Sequence, residues 1–162
     1  MAEADDPVAL EGGCVCGAVR YRVTRPVLTA YICHCRRCQR RTGSAFSLAV
    51  VLPADGLHIL QGDLRRTERA LPGGGVNASW ACPECFSRIH TRLEGRRTVN
   101  LRAGTLDDPT WIRPVAQIWT SSAQPWAVVR EGLLTYEEQP SDFTPWLAAW
   151  REAGLRPPAA PG

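Results

Sequence analysis

Seven cysteines fall into three tight groups along this chain: Cys14-x-Cys16, Cys33-x-Cys35-x-x-Cys38 and Cys82-x-x-Cys85. An odd number of thiols cannot pair off completely as disulfides, whereas spacings of one or two residues bring two sulfurs to one metal ion. Zinc favours four thiolates in a tetrahedron at about 2.3 Å, and a set of three leaves one position open for chemistry. Cys33, Cys35 and Cys38 can meet at one ion without help. Cys14 and Cys16 then supply half of a closed site and Cys82 and Cys85 the other half, across a gap of 65 residues. A competing division joins Cys35-x-x-Cys38 to Cys82-x-x-Cys85 as a zinc ribbon. That choice strands Cys14, Cys16 and Cys33 and needs a 43-residue gap, so four-plus-three is the preferred division.

The triplet lacks an obvious fourth protein ligand. His34 is nearest, but between Cys33 and Cys35 in an extended segment its ring points to the opposite face. His58 and His90 fall in expected strands. Three thiolates around zinc carry a formal charge of −1, which suits a fourth, exogenous thiol and deprotonates it at neutral pH. Arg36, Arg37, Arg40 and Arg41 crowd around Cys38 and either offset the thiolate charge or meet a small anionic ligand. All 19 basic residues are arginine and the net charge is +3. A dedicated nucleic-acid binder would show a broader basic face with interleaved aromatics, so that partner is disfavoured.

The elements that must hold these cysteines read as mainly β. Val19, Tyr21 and Val23 alternate with polar residues at a strand period of two, and Ala45–Leu52 is an apolar run bounded by Gly43 and Pro53. Further strands are expected at Leu57–Gln61, Leu64–Ala70, Val76–Ala81, Arg88–Leu93, Arg97–Leu101, Val115–Thr120 and Trp126–Arg130. Pro72-Gly73-Gly74-Gly75 reads as a mobile loop. One helix is signalled: Thr144 can cap it, Pro145 suits its first position, Trp146 and Trp150 share a face, and Gly154 stops it. The expected organisation is a disordered stretch over residues 1–9, one zinc domain over 10–154, and a disordered tail over 155–162. The acidic start is no secretory signal, and no apolar run reaches the ~20 residues needed to cross a bilayer. A cytoplasmic, reducing location follows as the expectation, where clustered cysteines hold metal.

Gly12-Gly13-Cys14-Val15-Cys16-Gly17-Ala18-Val19-Arg20-Tyr21 resembles the opening motif of the glutathione-dependent formaldehyde-activating enzyme (GFA) family, also called the centromere protein V family. Cys33-His34-Cys35-Arg36-Arg37-Cys38-Gln39 and the residues on to Phe46 resemble its central motif. Cys82-Pro83-Glu84-Cys85, Gly104 to Pro109 and Pro125-Trp126 are similar to later segments. The resemblance implies a β-tent of antiparallel sheets with at most one or two short helices and two zinc ions per chain. It implies a structural ion on Cys14, Cys16, Cys82 and Cys85, and a second, more easily lost one on Cys33, Cys35 and Cys38. It further implies a carbon–sulfur lyase that joins glutathione, or a related thiol, to formaldehyde or another small aldehyde as an S-hydroxymethyl adduct. Arg36, Arg37, Gln39, Thr42, Ser44 and Trp126 are the candidate substrate contacts, with no residue nominated as a general base. The alternative is a non-catalytic zinc module that carries a thiol or binds a macromolecule. One departure stands out: Phe86 follows Cys85 where the family has glycine, so it must either adopt another conformation or accept strain.

Overall fold

The computed structural model describes residues 9–127 and 131–157. Eleven strands lie among the described residues: β1 (Leu10–Gly13), β2 (Arg20–Val23), β3 (Thr29–Cys33), β4 (Ser47–Pro53), β5 (Leu57–Gln61), β6 (Arg65–Ala70), β7 (Val76–Ala81), β8 (Arg88–Leu93), β9 (Thr98–Arg102), β10 (Ala116–Ile118) and β11 (Leu134–Tyr136). Two helices join them, α1 (Arg36–Thr42) and α2 (Thr144–Glu152). A small sheet has the order β1-β2-β5, and a large one the order β11-β10-β3-β4-β9-β8-β7-β6. The mainly β fold is as expected. Its pairings are antiparallel except at one edge, where β10 lies parallel to both β3 and β11.

The register of the large sheet separates its two faces. One row runs Ala30, Val50, Leu101, His90, Trp80, Arg66 across six strands. Its first three members lie in the main core with Tyr21 and Val23 of the small sheet and with Val19, which precedes β2. Val50, Leu101, Val19 and Val23 each contribute about 1.5–3 kcal/mol by leaving water. The neighbouring row runs Thr29, Val51, Asn100, Thr91, Ser79, Thr67 and is almost wholly polar. One face therefore closes the core while the other presents hydroxyls and amides. A second, smaller core forms where Trp146 of α2 meets Tyr31, Tyr136 and Phe143.

Gly12 lets the two sheets meet. It bridges Leu106, and a Cβ there would come within 2.3 Å of both the Thr105 carbonyl oxygen and the Tyr21 hydroxyl. Tyr21 donates to or accepts from Thr105 Oγ1 at 2.8 Å across the same junction.

Three local expectations need correction. Trp126 does not begin a strand: it lies in a turn closed by the Ala127 amide donating to the Gln124 carbonyl at 2.9 Å, and residues 128–130 lie outside the described residues. Pro72 to Gly75 is a hydrogen-bonded hairpin turn, with the Leu71 amide donating to the Gly75 carbonyl at 3.0 Å and three glycines at positive φ. Thr144 is the first helical residue and not the cap; its amide donates to Asp142 Oδ1 at 2.9 Å, which satisfies one of the amides that a helix start leaves free. Leu155 packs against the main core, and residues 158–162 of the expected tail lie outside the described residues, as do residues 1–8 of the expected N-terminal stretch. No described helix is long and apolar enough to cross a membrane.

His90 is buried in a stack with Trp80, ring centroids 4.5 Å apart, and Arg66 lies over the other indole face. Burial, then Arg92 and Arg102, push its pKa down to about 4. The unfolded chain therefore takes up this proton below about pH 6.5, but the folded chain does so only near pH 4. The neutral ring's contribution is complete above pH 6.5 and drains away as pH falls. Between pH 7 and 5 the His90→Phe variant should gain about 2 kcal/mol of unfolding free energy relative to the parent, read by denaturant titration at both pH values. Parallel losses in the two proteins would remove His90 as the source.

Candidate metal centres

All seven sulfurs gather into two groups, Cys14, Cys16, Cys82 and Cys85 in one and Cys33, Cys35 and Cys38 in the other. Within each group the sulfurs lie within 4.8 Å of one another. The zinc-ribbon division does not form. The first group sits where two hairpin connections face each other, β1–β2 from the small sheet and β7–β8 from the large one. Cys14 Sγ lies 3.4 Å from Cys16 Sγ, and Cys16 Sγ lies 3.8 Å from Cys82 Sγ. A tetrahedron of sulfurs at 2.3 Å from zinc has edges of about 3.8 Å, so the cage fits that ion.

The backbone turns toward the sulfurs in both hairpins. The Val19 amide donates to Cys14 Sγ at 3.2 Å, and the Ser87 hydroxyl accepts from Cys85 Sγ at 3.2 Å. Burial opposes charge on Cys14, but the Val19 amide and the neighbouring sulfurs outweigh it and hold this thiol below its ordinary value. Ser87, through its hydroxyl and its amide, brings Cys85 down to about 5. Cys16 shifts the other way, up to about 12: the Ala18 amide favours its thiolate, but Cys14 and Cys85 together prevail. Crowded sulfurs cannot all ionise by themselves, and a divalent cation resolves that conflict.

The second group is built on the β3–α1 junction. Cys33 ends β3 opposite Ser47 of β4 and Ile118 of β10. Cys35 caps α1, its Sγ accepting from the Cys38 amide at 3.3 Å. Contact with Cys35 and Cys38 raises the Cys33 thiol far above its usual range. Cys38, beside Cys33 and Cys35, falls to about 2, helped by Ser47 and Arg102. The donor set and packing suit a metal ion here as well.

The structure uses several expected substrate contacts as scaffold. Gln39 is buried; its Nε2 donates to the His34 carbonyl at 2.6 Å and to the Ser122 carbonyl at 2.9 Å. Its Oε1 accepts from Gln124 Nε2 at 2.7 Å and from Arg36 at 3.3 Å. Thr42 Oγ1 lies 2.9 Å from the Cys38 carbonyl and 3.1 Å from that of Phe46, and accepts from the Ser44 amide at 3.2 Å. Arg36, Arg37 and Ser44 are exposed on or just after α1. Trp126 is 74% exposed, so core packing does not account for it. His34 is buried with its ring edge-on to Phe46, as its place between two cysteines of one group predicts. His58 is engaged by Thr24 at 2.9 Å in β5.

Sequence reasoning missed three neighbours of the triplet. Ser47 and Arg102 reach it from β4 and β9, joined by an Arg102 Nη1 to Ser47 Oγ bond of 3.1 Å. Trp119 packs against the cluster at φ 58°, a backbone conformation that no sequence pattern signals in a tryptophan.

A sequence model of the family described as "Glutathione-dependent formaldehyde-activating enzyme" matches residues 9–122. The chain belongs to this family. The GFA match contains all seven cysteines and ends at Ser122, one of the two carbonyl partners of Gln39. A curated protein of Sordaria macrospora named "Putative glutathione-dependent formaldehyde-activating enzyme" is 26% identical over 78 residues, 48% of this chain. The chain spans about a third of that relative's length, at 32%. A crystal structure of a Rhodobacter sphaeroides protein is similar over 78% of this chain and 98% of its own, with 18% identity and a TM-score of 0.46.

Against the GFA glycine, Phe86 accepts the left-handed conformation. Its φ is 60°, its amide donates to the Cys82 carbonyl at 3.1 Å, and its ring is 67% exposed. Phe86→Gly should therefore stabilise the protein by about 1 kcal/mol, a rise of about 2–4 °C in Tm, while Phe86→Ala should not. Equal effects of the two variants would dispose of the strain argument. The two cysteine groups should also separate on replacement. Cys82→Ser should cost more than about 3 kcal/mol by opening the cage between the sheets. Cys35→Ser, which keeps a capping side chain on α1, should cost less than about 1 kcal/mol. Equal destabilisation in chemical unfolding would contradict the assignment of different roles.

Proposed function

We propose that this chain holds two zinc ions, a structural one on Cys14, Cys16, Cys82 and Cys85 and a reactive one on Cys33, Cys35 and Cys38. In this reading it binds glutathione or a related small thiol at the triplet and forms or cleaves its S-hydroxymethyl adduct with formaldehyde or another small aldehyde. It is then a carbon–sulfur lyase of a reducing, cytoplasmic compartment. The observation that carries the reading is the gathering of three sulfurs, with no fourth cysteine, inside a chain of the GFA family.

Zinc held there would supply a Lewis-acid position at which a substrate thiol loses its proton. The chain's own residues fix that position. Cys33 is set by the β3–β4 ladder, and Cys35 and Cys38 by the first turn of α1. Gln39 holds α1 against the end of β3 and the 120–124 segment. Arg102 and Ser47 favour negative charge on Cys38. The reaction asks for little more: the sulfur's electron pair forms the C–S bond, the carbonyl π pair moves to oxygen, and solvent supplies the proton. Holding the thiol where the aldehyde arrives contributes through proximity.

The zinc-loaded protein should contain two metal ions per chain and consume formaldehyde with glutathione. Cobalt substituted at the triplet should change its visible spectrum when a thiol is added. A metal content that never exceeds one, or a spectrum indifferent to thiols, would sink the reactive-site reading. Thiol binding without turnover would favour a carrier.

A further inference from the structure

Strands β3, β4, β7, β8, β9 and β10 and helix α1 contain no aspartate or glutamate. They do contain arginines, and a group of these faces the triplet. Arg102 lies in the cross-strand row of Tyr31 and Ala49, on the same face as Cys33. Its Nη1 donates to Ser47 Oγ at 3.1 Å and its Nη2 to Thr91 Oγ1 at 3.4 Å, while its Nε is buried without a partner. A register shift in the β7–β8 pair lies beside Arg88, whose Nε is also buried and unpartnered. Burial and then Arg102 and Arg41 lower the Arg88 pKa to about 10; Arg69, on β6, is lowered by burial and then by Arg37 and Arg41. These five guanidiniums thus sense one another as well as Cys35 and Cys38.

Among the described residues three arginines outside this group are ion-paired. Arg20 binds both carboxylate oxygens of Asp107, Arg22 binds Glu11 and Arg66 binds Glu68. Offsetting the thiolates does not explain the group near the triplet, since three thiolates and one divalent ion leave a single negative charge against five cations. Among the described residues none of the five makes an ion pair, and Arg102 and Arg88 each keep a buried Nε without a partner, a set of charges that an anion from outside would satisfy.

We propose that this polar face of the large sheet is an oxyanion-binding platform, with Arg102 and Arg88 as its floor and Arg41 on its α1 side, which receives the carboxylate arm of the thiol substrate. Only the identity of the sulfur end rests on the proposed function; the platform stands on its own geometry. Arg102 is the central residue because its two Nη atoms are already oriented by Ser47 and Thr91, leaving Nε unpartnered. A small anion fits better than nucleic acid, since the row Thr29, Val51, Asn100, Thr91, Ser79, Thr67 offers no stripe of stacking aromatics.

The test uses full-length, zinc-loaded protein and S-methylglutathione, which keeps both carboxylates but has no free thiol to ligate a metal. In calorimetric titrations at low salt it should bind at least about tenfold more tightly than its diethyl ester, and the advantage should shrink as salt rises. Arg102→Gln should erase most of that preference, Arg102→Lys should keep much of it, and Arg88→Gln should fall between. Equal affinity for acid and ester, or an undiminished preference in Arg102→Gln, overturns the platform. So does a short single-stranded oligonucleotide that binds more tightly and displaces S-methylglutathione. Neutral 2-mercaptoethanol added to the cobalt-substituted parent separates the two proposals. If it leaves the spectrum unmoved while the acid–ester preference persists, the platform stands and the thiol-ligating reading fails.

Discussion

The junction of Cys14, Cys16, Cys82 and Cys85 is the constraint on which the rest of this molecule depends. It lies at the tips of two hairpins from different sheets, and the four sulfurs are spaced as one ion would require. The small sheet has three short strands among the described residues, and its apolar face must be covered to keep water out. Its buried residues Tyr21 and Val23, with Val19 just before β2, find that cover in Ala30, Val50 and Leu101. Fixing the hairpin tips sets the angle at which these rows meet, and Gly12 permits the close approach at Thr105. The strain at Phe86 is borne at this same junction, where ligand geometry over-determines the backbone.

Once the large sheet is fixed, its two faces take different work. The row Ala30, Val50, Leu101 is consumed by the core, whereas the next row offers threonine, serine and asparagine. The triplet stands at the end of β3 on this second face, next to polar side chains that bond one another, Tyr31 with Asn100 and Arg102 with Ser47 and Thr91. Gln39 is central to that placement. One buried amide side chain ties α1 to the His34 and Ser122 carbonyls and accepts from Gln124, so the β3–α1 junction and the 122–124 segment, more than 80 residues apart, share one anchor.

Much of this was legible in the sequence, for definite reasons. Cysteine spacing is a local signal, and the four-plus-three division follows from it; strands β5, β7 and β8 were bounded correctly because alternation and flanking turns are local too. Helix α1 escaped notice because its seven residues are nearly all polar and carry no apolar stripe. The parallel placement of β10 depends on partners 85 residues away, which periodicity does not report. Gln39 and Thr42 were read as substrate contacts by type, yet type does not say whether a polar side chain spends itself on the backbone. Arg102 was overlooked for the opposite reason: one arginine ending an ordinary strand becomes distinctive only when the sheet aligns it with Cys33, Ser47 and Thr91.

The charge distribution connects these strands of argument. Arginines on the small sheet sit within reach of Glu11 and Asp107, so their charge is spent on holding β1, β2 and the 105–108 segment together. Arg102, Arg88, Arg37 and Arg41 lie on elements without a single carboxylate, where their mutual repulsion costs stability in the free protein. Such a cost persists in a fold when something else offsets it, here negative charge at Cys38 and, in the bound state, an anion. The same separation explains why the modest net charge of +3 misleads as a guide to partners. An overall count averages ion-paired arginines with a group that has no carboxylate partner, and only the fold shows which arginines belong to which.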